Sequence, residues 1–277
     1  MQRRSFLATS LAIPGALSAS GKQHIPKNKA RPFTISLKAD AIGANGSPWE
    51  LLNLAAANGY GALSVPAQWI ESWSASDKQR FAQRAADNNL AWGANGLPVE
   101  FRKSEAQFRS DLAQLPKHAS NLREIGVDRI GTWILPMHAE LTYNQNMEQH
   151  ARRLRDTARI LGQEGIKLGL EYIGTTNLRH SQRFAFISSG RETKELLSAI
   201  GEPNVGVILD SYHWHTAQET ATDLKLWSNE EIVAVDLNDC NAQLSLDDQT
   251  DVARELPGAT GVINLSIFLQ TLAELGY

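Results

Sequence analysis

The chain has 277 residues, 42% hydrophobic and 21% charged, with 27 Lys and Arg against 30 Asp and Glu and a net charge of −3. With an isoelectric point near 6.2, it lacks the basic domain or stripe that nucleic-acid binding demands, which leaves small-molecule chemistry as the leading class. Its one cysteine, Cys240, excludes an intramolecular disulfide and reads as a small side chain rather than a nucleophile.

The N-terminus carries an address. Arg3-Arg4-Ser5-Phe6-Leu7 leads into an apolar stretch over residues 8–17 and then into small residues at 18–21. This order resembles a twin-arginine export signal and implies an exported, for instance periplasmic, protein handled by the twin-arginine export machinery. The plainer alternative is a disordered N-terminus with a chance Arg-Arg pair. The apolar run is shorter than the ~20 residues a membrane-spanning helix needs, so no stable membrane span is expected. Residues 21–31 are basic, polar and proline-containing, as in a linker. The expected division is therefore 1–31 for signal and linker and 32–277 for one folded domain.

From Pro32 onward short apolar runs alternate with helical patterns, the signature of a parallel sheet with crossover helices. The first strand is expected over 33–37, followed by a helix that Ser47 and Glu50 open as a capping box with Pro48 at its first position. Strands over 62–65 and 90–94 bracket a helix over 75–88. Ser104 caps the next helix, with Leu112, Leu115, Ala119 and Leu122 on one face and Pro116 expected to kink it. The fourth strand, 129–135, precedes a helix whose Met147, Ala151, Leu154, Ala158 and Leu161 form one stripe ended by Gly165. A fifth strand over 168–173, a helix over 191–200, strands over 205–209 and 232–237 and a last helix over 264–275 complete the pattern.

Seven such units suit an open doubly wound sheet or a (β/α)8-type TIM barrel whose eighth strand is missing from this chain. No Gly-x-Gly-x-x-Gly occurs, which favours the barrel over a dinucleotide-binding sheet.

Three apolar strands end in a carboxylate: Leu168-Gly169-Leu170-Glu171, Val207-Ile208-Leu209-Asp210 and Val233-Ala234-Val235-Asp236. In a parallel barrel all three ends lie at one mouth, where the acids would repel one another unless a cation or a shared proton relieves them. Each alone has a plain reading as a helix cap or a partner for a loop arginine. Together, with His213 and His215 following Asp210, they point to a divalent metal, Mn²⁺ or Mg²⁺ first and Co²⁺ or Zn²⁺ as alternatives.

These residues resemble the xylose-isomerase-like barrel superfamily of sugar phosphate isomerases and epimerases over about residues 32–277. The matching pieces are Leu170-Glu171, residues 204–213, residues 235–239, Arg254-Glu255-Leu256-Pro257-Gly258 and Gly261-Val262-Ile263. The resemblance implies that Glu171 is both metal ligand and acid/base group, that Asp210 is a ligand, that His213 binds a substrate oxygen and that Arg254 holds a substrate hydroxyl or phosphate. Asp236 stands where the family usually has a ligand histidine, making the site more anionic. The closing strand, which in the family brings a second catalytic glutamate, is not found.

The implied reaction is proton transfer alpha to a carbonyl of a sugar, with the metal polarising substrate oxygens and Glu171 moving the proton. Return of the proton on the opposite face would epimerise, and return to the neighbouring carbon would isomerise. The rivals are an exported sugar-binding protein without catalysis and a metal-dependent endonuclease of the same fold. Trp133 and His138 are weaker candidates to line a sugar pocket, the plainer reading being a core tryptophan and a surface histidine. His180 is weaker still.

Overall fold

The computed structural model describes residues 33–277; the export segment and linker expected over 1–31 lie outside them. The described chain runs β1 (Ser36–Leu37), α1 (Pro48–Ala57), β2 (Ala62–Leu63), α2 (Ala67–Ile70), α3 (Ala75–Asp87), β3 (Ala91–Trp92), β4 (Asn95–Gly96), α4 (Glu105–Glu124) and β5 (Arg129–Ile134). It continues through β6 (Met137–His138), α5 (Tyr143–Gln163), β7 (Lys167–Tyr172), α6 (Thr176–Arg179), β8 (Phe184–Ala185) and α7 (Gly190–Ile200). The last part is β9 (Val205–Asp210), α8 (Ser211–Thr216), α9 (Ala221–Leu224), β10 (Ile232–Asp236) and α10 (Leu265–Glu274).

The barrel wall is built in two pieces. β1, β2 and β3 form one parallel sheet, and β4, β5, β7, β9 and β10 form the other, in that order across the wall. The strand expected over 90–94 is found as β3, and the chain breaks after it before resuming as β4, just beyond that range. The break has a visible cause: the buried Asn95 side chain accepts the Val65 N–H at 2.6 Å, taking a backbone group the ladder would otherwise use. Gly93 sits at the break, where a Cβ would lie 2.6 Å from the Ser64 hydroxyl and closer still to Ser36. The first two strands pair over two residues each, shorter than the apolar runs that announce them. β6 and β8 make a small antiparallel ribbon from the loops that follow β5 and β7.

The helices follow the residue chemistry closely. Ser47 and Glu50 close a reciprocal capping box at α1. The α5 stripe buries Ala151, Leu154, Ala158 and Leu161 against the strands, each large side chain there contributing roughly 1.5–3 kcal/mol. α4 runs unbroken through Pro116 from a Ser104 cap. Inside the barrel, Gly131 and Gly169 leave the room that Ile208 fills, because a Cβ on either would strike that side chain. Ile208 thus closes the barrel beneath Asp210, two residues further along the same strand and on the same face.

β1 and β10 belong to different sheets, and no ladder joins them among the described residues. This is the gap expected of a (β/α)8 barrel without its closing strand. Side chains reach across it instead. Phe33 and Tyr277 pack with ring centroids 5.9 Å apart, and Lys38, one residue past β1, pairs with Asp236 at the end of β10 at 2.9 Å. No helix among the described residues is long and apolar enough to cross a membrane.

Candidate active site

The parallel strands bring Glu171, Asp210 and Asp236 to one end of the barrel. Register fixes this: Asp236 is the neighbour of Asp210 across β10 and β9, and Glu171 is the neighbour of Ile208 across β7 and β9. Glu171 shares the inward face of Gly169. Oxygens of Glu171 and Asp210 and a ring nitrogen of His213 lie within 4.8 Å of one another. Asp236 stands beside this group rather than in it, its Oδ2 held by Lys38.

Asp210 is fully buried and its oxygens are saturated. Oδ1 accepts the Tyr212 N–H at 2.8 Å, Asn238 Nδ2 reaches both oxygens at 3.1 and 3.0 Å, and Arg254 Nη1 donates to Oδ2 at 2.7 Å. Burial alone would raise its pKa, but His213 and Arg254, with these hydrogen bonds, bring it below the usual carboxylate value. The same aspartate caps α8, so the cap and the site are one residue. Glu171 is the opposite case. Burial, and then the charges of Asp210 and Asp236, push its carboxyl well above the ordinary value, so it holds a proton more readily than a free glutamate.

His213 opens onto the same group, with Nε2 3.8 Å from Glu171 Oε1. Its Nδ1 accepts the Gly174 N–H at 3.2 Å, and Arg254 Nη2 lies 2.8 Å from Nε2. Both ring nitrogens therefore face donors, and a ring that keeps one proton satisfies only one of them. The Gly174 amide is fixed by the fold, since a Cβ at Gly174 would collide with the backbone of Ala217 and α8, whereas Arg254 is carried by a loop. With Arg254 in place Nε2 accepts from its Nη2; once Arg254 moves away, the Gly174 amide favours the neutral tautomer with Nδ1 as acceptor and the proton on Nε2. In that tautomer the ring is a hydrogen-bond donor into the cavity, whereas an unprotonated Nε2 belongs to the group of atoms near enough to hold a cation.

Three participants escaped the sequence reading. Lys38, one residue past β1, lies at the same mouth, and a lysine after an apolar run carries no mark of a site in the sequence. Asp251 stands 3.4 Å from Arg254 Nη2, and Asn238 orients Asp210; neither lies in an apolar run. His215 is not part of the group, and His180 is an exposed residue ending α6. Trp133, the register neighbour of Glu171, is half exposed, and it and His138 line one cavity beside the mouth.

The donors fit a divalent cation held mainly by oxygen. Glu171 and Asp210 supply two carboxylates near enough to share it once Arg254 leaves Asp210 Oδ2, and Asp236 offers a third from the adjoining strand if Lys38 yields.

Residues 52–277 match the model of a family described as xylose isomerase-like TIM barrel. Among curated relatives, an inosose isomerase of Bacillus velezensis is 23% identical over 66% of this chain; the matched part spans 62% of that protein's length. Among solved structures, a xylose isomerase domain protein from Alicyclobacillus acidocaldarius is 34% identical, with a TM-score of 0.75 over 84% of this chain and 82% of that one. The IolI protein, solved with a bound zinc atom, has a TM-score of 0.73 at 19% identity over 88% of this chain and 86% of its own.

Proposed function

We propose, since this chain belongs to the xylose isomerase-like TIM barrel family, that it is a metal-dependent isomerase or epimerase of a sugar or sugar derivative, acting by proton transfer alpha to a carbonyl. The observation that carries this reading is the inward Glu171 carboxylate, mostly buried at one mouth with Asp210 and with the His213 ring 3.8 Å away. A carboxylate so placed can both take and return a proton.

In this reading Glu171 moves the proton, His213 Nε2–H donates to a substrate oxygen, and Arg254 leaves His213 to bind a substrate hydroxyl or phosphate. Its departure also frees Nε2 to carry the proton. Glu171, Asp210 and Asp236 would hold the divalent ion, Mn²⁺, Mg²⁺, Co²⁺ or Zn²⁺. When bound, that ion supplies Lewis-acid polarisation of substrate oxygens. The name of the curated relative and the zinc in the IolI structure support the choice of reaction class and of a metal.

Incubation in D₂O with each of these metals and a panel of inososes, aldoses and ketoses should place deuterium at the carbon next to the carbonyl. Glu171→Gln should slow that exchange about 10²- to 10⁴-fold. Binding of a sugar with no exchange in any combination would leave the non-catalytic sugar-binding reading in its place.

We further propose that the segment opening with Arg3-Arg4 directs export by the twin-arginine machinery, on the strength of its sequence pattern. A reporter fused after Gly21 should be exported, and its Arg3→Lys, Arg4→Lys form should stay inside.

A further inference from the structure

A cavity of about 360 Å³ lies against the mouth, lined by Arg102, Trp133, His138, Asn146, His150 and Gln182 among others. Its walls hold two polar groups that the fold does not satisfy. Asn146 is 1% exposed and His150 is 3% exposed, yet Asn146 Oδ1 and His150 Nε2 have no hydrogen-bond partner among the described residues. Leaving such atoms unpaired is costly, roughly what a lost hydrogen bond costs for each.

The chemistry of these atoms is defined. His150 Nδ1 faces the Asn146 carbonyl at 2.9 Å, so the proton sits on Nδ1 and Nε2 is a free acceptor. Burial holds the ring neutral, its pKa pushed down to about 3. On the rim, His138 Nδ1 accepts the N–H groups of Glu140 and Leu141 at 3.0 and 2.8 Å, which leaves its Nε2 as a donor. Two acceptors and a donor on residues that line one cavity are the complement of neighbouring hydroxyl groups, each of which donates and accepts.

The cavity also offers a flat apolar wall. Trp133 is 50% exposed and is clamped from one side by Arg102, whose guanidinium carbon lies 4.5 Å from the indole centroid. Arg102 is itself fixed by Glu100, Thr132 and the Trp133 carbonyl. An immobilised aromatic face beside converging polar atoms is the usual construction of a site for a small polyhydroxylated ring, and the volume falls in the range of small-ligand pockets. Because Trp133 is the register neighbour of Glu171, the cavity adjoins the proposed catalytic mouth.

We propose that this cavity is a second carbohydrate subsite, in which hydroxyls of a sugar ring pair with His150 Nε2 and Asn146 Oδ1 while the ring's apolar face lies on Trp133. Resting on the function proposed above, this makes the substrate a two-ring compound, a disaccharide or glycoside, with the reacting ring over Glu171 and the other ring here.

The test is saturation-transfer NMR and calorimetry with maltose, cellobiose, sucrose and trehalose against glucose, on the full chain. At least one disaccharide should bind more tightly than glucose. His150→Phe, which retains a ring between Phe101 and Phe186, and Asn146→Leu should each weaken that binding about 2- to 10-fold. Trp133→Ala alters a half-exposed residue and should do the same without affecting the fold, so it decides the matter if either buried variant unfolds. Disaccharide binding by the unsubstituted chain, weakened by the cavity variants, with no deuterium exchange under any of the metals would support the subsite and remove the enzymatic reading alone. If no disaccharide binds better than glucose, or the three variants leave binding unchanged, the cavity holds water only and the proposal fails.

Discussion

At the scale of single residues, the site is a contest between cations for carboxylates. Lys38 takes Asp236 and Arg254 takes Asp210, so part of the charge a metal would neutralise is met by side chains. The Lys38 pair is half exposed, and such a pair stabilises by about 0–1 kcal/mol. A cation needing Asp236 must displace Lys38 at that cost. Lys38→Met should therefore tighten Mn²⁺ binding by up to about fivefold, and Asp236→Asn should weaken it. Calorimetric titration of both variants measures this; weaker Mn²⁺ binding by Lys38→Met would show that the lysine assists the ion rather than opposing it.

At the scale of elements, the strands are positioned by what their glycines omit. Gly131 on β5 and Gly169 on β7 make room for Ile208 on β9, and this packing sets the floor under Asp210. Gly131→Ala should lower stability by about 1–3 kcal/mol, the ordinary consequence of overpacking. Ile208→Val removes the methyl that the new Cβ meets. Alone it should cost about 0.5–1.5 kcal/mol, yet in the Gly131→Ala background it should restore stability. Urea denaturation of the four proteins gives the coupling, and simple additivity would mean the three strands relax independently.

The same elements show what was legible in the sequence. The caps at Ser47 and Ser104, the α5 stripe and the three strand-end carboxylates could be read because each depends on neighbours within one turn or one strand. The split at Gly93–Ala94 could not be read, because its cause is the Asn95 side chain reaching Val65, 30 positions away. For the same reason Asp210 and Arg254 were recognisable as site residues while the bond between them was not: Asn238 and Arg254 lie 28 and 44 positions along the chain from Asp210. The helix α8 that Asp210 caps was missed as well, being only six residues long. Neither was the proton position on His213 legible, since it is set by the Gly174 amide, 39 positions earlier.

At the scale of the whole molecule, the mouth ties together β7, β9 and β10, so the charge state of the site is also a term in the stability of the barrel. Glu171 has a folded pKa raised above its unfolded value. The folded state thus binds more protons than the unfolded one, and the stability this group contributes is full below about pH 4, the unfolded range. It is lost as pH rises through the folded value. Metal-free protein should accordingly grow less stable from mildly acidic pH upward, insofar as Glu171 governs. A divalent ion that binds only the folded site works the other way, adding about 2.7 kcal/mol at a hundredfold excess over its Kd, or roughly 5–10 °C in Tm for a domain of this size. Thermal unfolding followed with and without Mn²⁺ across that range should show the metal-induced shift growing as pH rises, because protons and the ion compete for the same carboxylates. Asp210→Asn should abolish the shift, while Glu171→Gln should flatten the pH dependence of the metal-free protein. A shift that is independent of pH, or that persists in Asp210→Asn, would place the ion elsewhere than between Glu171 and Asp210.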